Sequence, residues 1–130
     1  MRMLLFNIFI VGAGSCLGGI ARYLVGKVVQ SVCDSTFPWG TFFVNVIGCF
    51  IIGLVYGFID KGMQISDGLR LFITVGFCGG FTTFSTFMHE NYLLFSGTQH
   101  LTVLLYAVAS VFAGFLMVYL AYNMAARLIL

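Results

Sequence analysis

Between Gly76 and Phe87 the chain reads Gly-Phe-Cys-Gly-Gly-Phe-Thr-Thr-Phe-Ser-Thr-Phe, a glycine-broken run that sets four hydroxyl side chains among phenylalanines. Thr82, Thr83, Ser85 and Thr86 can each donate one O–H hydrogen bond without carrying charge. On a helix Phe84 and Phe87 would share a face, with Thr83, Thr86 and Glu90 on the adjoining stripe. An aromatic ring is negative on its face and positive at its edge, so this phenylalanine pair could line an anion path; the competing reading is that it packs in a core.

Elsewhere a few polar residues interrupt apolar stretches at helical spacing. Thr41 and Asn45 lie four apart, as do Tyr106 and Ser110, so each pair occupies one helix face. Burying the Asn45 amide without a partner costs roughly 2 to 7 kcal/mol, so it must meet protein, water or a ligand. An interhelical hydrogen bond would satisfy it equally well. Ser110 could likewise bond back to its own helix, and Tyr106 could sit in an interface. Arg22 falls about a turn inside the end of the first apolar stretch, where it could snorkel to the membrane interface.

Other chemistries lack their residues. There is no nucleotide-binding motif, catalytic carboxylate pair or nucleophile–base set to argue for an enzyme or a pump. His89 and His100 flank a helix connection without metal-ligand spacing. Cys16, Cys49 and Cys78 fall inside apolar stretches and only Cys33 in a loop, so free, packed thiols are expected rather than disulfides.

The elements that must position these groups are membrane helices. Hydrophobic residues make up 61% of the 130 and charged residues 8%, against about a quarter charged in soluble domains; the mean hydropathy is +1.07. Apolar stretches at about 6–26, 38–59, 69–95 and 101–129 are each long enough for the hydrocarbon layer. The expectation is an all-α integral membrane protein with four transmembrane helices, forming a single domain over residues 1–130. The connections are too short to fold alone or to bind a macromolecule such as nucleic acid. The first stretch starts basic, as signal peptides do. It runs too long, carries Arg22-Tyr23 near its end and has no small-residue cleavage site, so it is expected to stay as a helix.

Pro38 is expected to open the second helix, with Trp39 as interfacial anchor. Gly14/Gly18 and Gly53/Gly57 have the small-xxx-small spacing of close helix packing. Gly76, Gly79 and Gly80 weaken a helix by roughly 1 kcal/mol each, so the third span is expected to break near the membrane midplane. The freed backbone groups would then need an ion, a water or a neighbouring subunit. Arg2, Lys61, Arg70 and Arg127 share one side against Arg22 and Lys27. The positive-inside rule thus favours cytoplasmic termini, by a bias small enough to allow insertion in both orientations.

Gly18-Gly19-x-x-Arg22-Tyr23, the run from Gly40-Thr41 through Asn45 to Phe50, and residues 76–87 together resemble the Fluc (CrcB) fluoride-channel family across the whole chain. The resemblance implies an antiparallel, dual-topology homodimer in the lipid bilayer of the bacterial inner membrane, with two pores that passively export cytoplasmic fluoride. Phe84 and Phe87 are similar to the family's phenylalanine box and Asn45 to its pore asparagine, with Thr83, Ser85 and Thr86 beside them. Tyr106 and Ser110 resemble fourth-helix residues of the polar track. Arg22 resembles a vestibule arginine, Thr41 falls on the same track, and Glu90 resembles an acidic residue near it. A structural sodium ion (Na+) would be held by main-chain carbonyls of Gly79 and Thr82 from both subunits.

Glu90 runs against the field of an anion path, and three states fit it: protonated, accepting hydrogen bonds, or off the path. Two other functions compete. A small drug–proton antiporter needs a membrane carboxylate in the first or second span, where there is none. A non-transporting assembly subunit would use the glycines and hydroxyls for packing alone.

Overall fold

The structure, a computed structural model, describes residues 1–129. Its elements are helices: α1 (Arg2–Val32), α2 (Trp39–Asp60), α3 (Asp67–Leu71), a wider π-helical stretch (Phe72–Cys78), α4 (Gly79–Phe81), α5 (Phe84–Ser96) and α6 (His100–Leu128). Four units, Arg2–Val32, Trp39–Asp60, Asp67–Ser96 and His100–Leu128, are long and apolar enough to cross a membrane. Large apolar side chains cover the outside, Phe9, Phe112 and Phe115 among them. Such helices are solvated by lipid rather than by water.

α1 extends past the apolar stretch at both ends, from Arg2 to Val32 rather than over 6–26. Hydrophobicity marks the hydrocarbon layer, whereas the hydrogen-bond ladder continues until something stops it. Pro38 is the residue before the first turn of α2 rather than within it, and its carbonyl accepts from Phe42 N–H at 3.1 Å. Ser66 opens the third span by accepting Leu69 N–H at 3.3 Å, with Asp67 in the positive first turn.

Glycines set the helix pairs. A Cβ on Gly53 would lie 2.5 Å from the Val118 carbonyl, and one on Gly57 would lie 2.7 Å from that of Tyr122, so α2 and α6 touch backbone to backbone. α1 meets the third span in the same way: Gly14 abuts Phe72 and Gly76, Gly18 abuts Phe77 and Phe81, and Gly80 abuts Ser15. Gly76 and Gly80 thus remain helical and serve packing. The non-helical dihedrals fall just beyond, at Thr82 (φ −80, ψ 158) and Thr83 (φ −150, ψ 120).

All four cysteines are free. Cys16 is exposed on α1 rather than packed, because two residues from each of the buried Gly14 and Gly18 it falls on the opposite side of the helix. His100 sits against the Phe95 ring, centroids 4.9 Å apart.

Candidate polar passage

Where the third span leaves the helix at Thr82–Thr83, side chains replace the lost ladder. Thr83 N–H, which a continuous helix would aim at the Gly79 carbonyl, donates to Asn45 Oδ1 at 2.8 Å. Asn45 Nδ2 in turn donates to the Thr83 carbonyl at 3.2 Å. Thr86 N–H, which would otherwise seek the Thr82 carbonyl, donates to Thr83 Oγ1 at 3.2 Å and so caps α5. Gly79 and Thr82 thereby keep carbonyls whose helical donors have been taken elsewhere. Thr83 Oγ1 also contacts Thr86 Oγ1 at 3.1 Å and Ser85 Oγ at 3.4 Å, gathering the hydroxyls at one helix start.

A second polar knot lies one helical turn away. Thr41 Oγ1 donates to Glu90 Oε1 at 2.7 Å and Tyr106 OH donates to Glu90 Oε2 at 2.8 Å. Of the three states open to Glu90, the geometry is that of a hydrogen-bond acceptor, with each oxygen holding one hydroxyl.

Helical periodicity aligns the two knots. α2 supplies Thr41 and then Asn45, α6 supplies Tyr106 and then Ser110, and α5, running the other way, supplies Phe87 and then Glu90. The outer tier is thus Thr41, Glu90 and Tyr106; the inner tier is Asn45, Phe87 and Ser110. Above the outer tier a cavity of about 420 Å³ opens, lined by Arg22, Lys27, Phe37, Trp39, Thr41 and Glu90. Below it a second, of about 440 Å³, is lined by Asn45, Gly79, Thr82, Thr83, Phe84, Phe87 and Ser110. The fully buried Tyr106 belongs to the partition between them.

The phenylalanines divide. Phe87 is 8% exposed and packs edge-on to Tyr106, centroids 4.8 Å apart, while Phe84 is 73% exposed, 6.1 Å from Phe87. Ser85 and Thr86 are exposed beside Phe84. Ser110 Oγ is buried without a hydrogen-bond partner among the described residues. Thr41, Asn45, Thr82, Thr83, Glu90, Tyr106 and Ser110 lie at one of the tiers or at the Thr82–Thr83 interruption, with Ser85 and Thr86 just beyond it, and Arg22 lines the outer cavity.

Two neighbours escape sequence reasoning. Phe37, in the α1–α2 connection, lies against Tyr106 with no periodic pattern to flag it. Asn91 Nδ2 donates to the Phe87 carbonyl at 2.8 Å, a bond within α5 that an amide four residues after a site phenylalanine could have suggested.

Four membrane-length helices around a file of hydroxyl, amide and carboxylate groups make this a multi-pass membrane protein with a polar interior. The chain belongs to the family described as CrcB-like protein, Camphor Resistance (CrcB), whose model matches residues 9–122. It is 42% identical over 108 residues to "Fluoride-specific ion channel FluC" of Flavobacterium psychrophilum, covering 83% of this chain and 87% of that one. A protein of the same name from Thermus thermophilus is 40% identical over 120 residues, 92% of this chain and 95% of the relative. That from Rhizobium meliloti is 43% identical over 113 residues, 87% and 90% of the two chains.

Proposed function

We propose that this protein is a fluoride-selective channel that lets cytoplasmic fluoride leave passively across the bacterial inner membrane, down its gradient and with the membrane potential. The observation that carries the reading is the two-tier file: hydroxyl and amide groups stacked on three helices between two cavities. Fluoride is small and tightly hydrated, and moving a bare ion into a dry medium costs on the order of tens of kcal/mol. The passage must replace that water. Thr41, Tyr106, Ser110, Thr83, Ser85 and Thr86 offer hydroxyls, Asn45 an amide, and Phe84 and Phe87 ring edges, none with a fixed charge that would trap the ion. A larger anion such as chloride would leave some of these fixed donors out of reach.

Glu90 fits as a competitor. It holds the Thr41 and Tyr106 hydroxyls while no anion is near, and an entering fluoride must draw them away. The exposure of Phe84, Ser85 and Thr86 supports a passage completed by a second copy, in an antiparallel, dual-topology homodimer with two pores. Gly79 and Thr82 fit the structural sodium ion, since their carbonyls have lost their helical donors and a Cβ at Gly79 would meet no atom of its own protomer within 4 Å. Both subunits would then offer hard oxygen ligands where the third span breaks near the midplane. A cation held there would supply positive charge between the pores.

Liposomes containing only the purified protein and loaded with fluoride or chloride test the reading. Fluoride is expected to leave and chloride to stay. Folded protein that releases neither would sink it.

A further inference from the structure

Phe37 sits in the connection between α1 and α2, yet it reaches the partition between the cavities. Its ring lies edge-on to Tyr106, with centroids 5.1 Å apart and planes at 73°. Phe87 approaches Tyr106 from α5 at 4.8 Å and 61°. A loop ring and a passage ring thus both hold one tyrosine whose hydroxyl reaches Glu90.

The loop is built to present this ring. Pro38 follows it and restricts Phe37 to extended backbone. Phe37 N–H donates to Ser35 Oγ at 3.2 Å, and its carbonyl accepts from Trp39 N–H at 2.8 Å. Trp39 lies against the ring at 4.4 Å and Phe42 meets it at 5.8 Å and 70°. The same residue lines the outer cavity beside Arg22 and Glu90.

We propose that Phe37 is a positioning residue for the passage: it holds the Tyr106 ring so that the phenol stays aimed at the Glu90 position. This rests on the channel reading for its effect on flux, although the restraint on the ring does not. Removing one edge-to-face pair is expected to slow fluoride efflux by roughly two- to tenfold, the rate equivalent of such a pair. Phe37→Tyr keeps the ring and should restore most of the flux lost in Phe37→Ala.

The decisive measurement is a double-mutant cycle on the purified full-length protein in liposomes. In a Tyr106→Phe background, which keeps the ring and lacks the hydroxyl, Phe37→Ala is expected to slow efflux no further. The same loss in both backgrounds would make Phe37 a general packing residue and overturn the proposal. A second readout needs no transport. With 3-fluorotyrosine incorporated, the ¹⁹F resonance that disappears in Tyr106→Phe belongs to residue 106, and it should narrow in Phe37→Ala as the ring is released. An unchanged linewidth overturns the proposal even if the protein conducts. A narrowed line with no fluoride flux from wild type would instead remove the channel reading and leave the restraint standing.

Discussion

Asn45 and Thr83 hold each other by a reciprocal pair of hydrogen bonds, the threonine N–H to the asparagine oxygen at 2.8 Å and the asparagine amide to the threonine carbonyl at 3.2 Å. A side-chain amide carries an acceptor and a donor side by side without charge, so one residue satisfies both backbone groups of Thr83. The interruption in the third span is therefore pinned from α2.

Asn45→Asp tests that pinning. The carboxylate can still accept from Thr83 N–H, but its second oxygen would face the Thr83 carbonyl where the amide now donates. Thermal unfolding in detergent should show a loss of about 1 to 3 kcal/mol, and fluoride efflux should fall by up to roughly a hundredfold, the rate equivalent of the upper value. Retention of both wild-type values would mean that the pair has no bearing on the passage.

The unequal burial of the phenylalanines separates stability from flux. Phe87→Ala removes a ring packed on Tyr106 and should destabilise the protein by about 3 kcal/mol, at the low end for a buried phenylalanine. Phe84→Ile touches little within its protomer, so the isolated fold should be nearly unaffected while fluoride flux collapses. Equal flux in Phe84→Ile and wild type would remove Phe84 from the path.

Neighbouring glycines on α1 make a paired control for packing. A Cβ at Gly18 would run into the Phe77 carbonyl, whereas one at Gly19 would meet nothing within 4 Å. Gly18→Ala is expected to lower the melting temperature and broaden the elution profile, and Gly19→Ala to leave the profile alone and to hold or slightly raise the melting temperature. The reverse order would contradict the α1 packing.

Replacing sodium by N-methylglucamine on both sides, with prolonged dialysis, tests the proposed cation. Fluoride efflux should decline and return when sodium is restored. Flux indifferent to the exchange under sodium-free assay would leave Gly79 and Thr82 without that role.

Much of the site follows from helical periodicity, which is a local property. Thr41 with Asn45 and Tyr106 with Ser110 share faces whatever the helices pack against, so the four spans and their polar faces could be read in advance. The partners of those faces could not. That Asn45 meets the backbone of Thr83, 38 residues away, depends on how α2 lies against the third span. The glycines of the third span misdirect for a related reason: a helix-weakening residue and a residue that lets two backbones touch look alike in sequence, and Gly76 and Gly80 are of the second kind. Phe37 stands in an irregular connection, where no period exists to point at Tyr106.

Ser110 ties ion occupancy to heat resistance. Its hydroxyl oxygen is buried at the edge of the inner cavity with no hydrogen-bond partner among the described residues, a condition that typically weighs against the folded state by about 1 to 3 kcal/mol. Any anion that reaches it relieves that penalty in the native form alone. By linkage the protein should melt at a higher temperature as such an anion is added, which a melting curve taken at rising fluoride concentration checks.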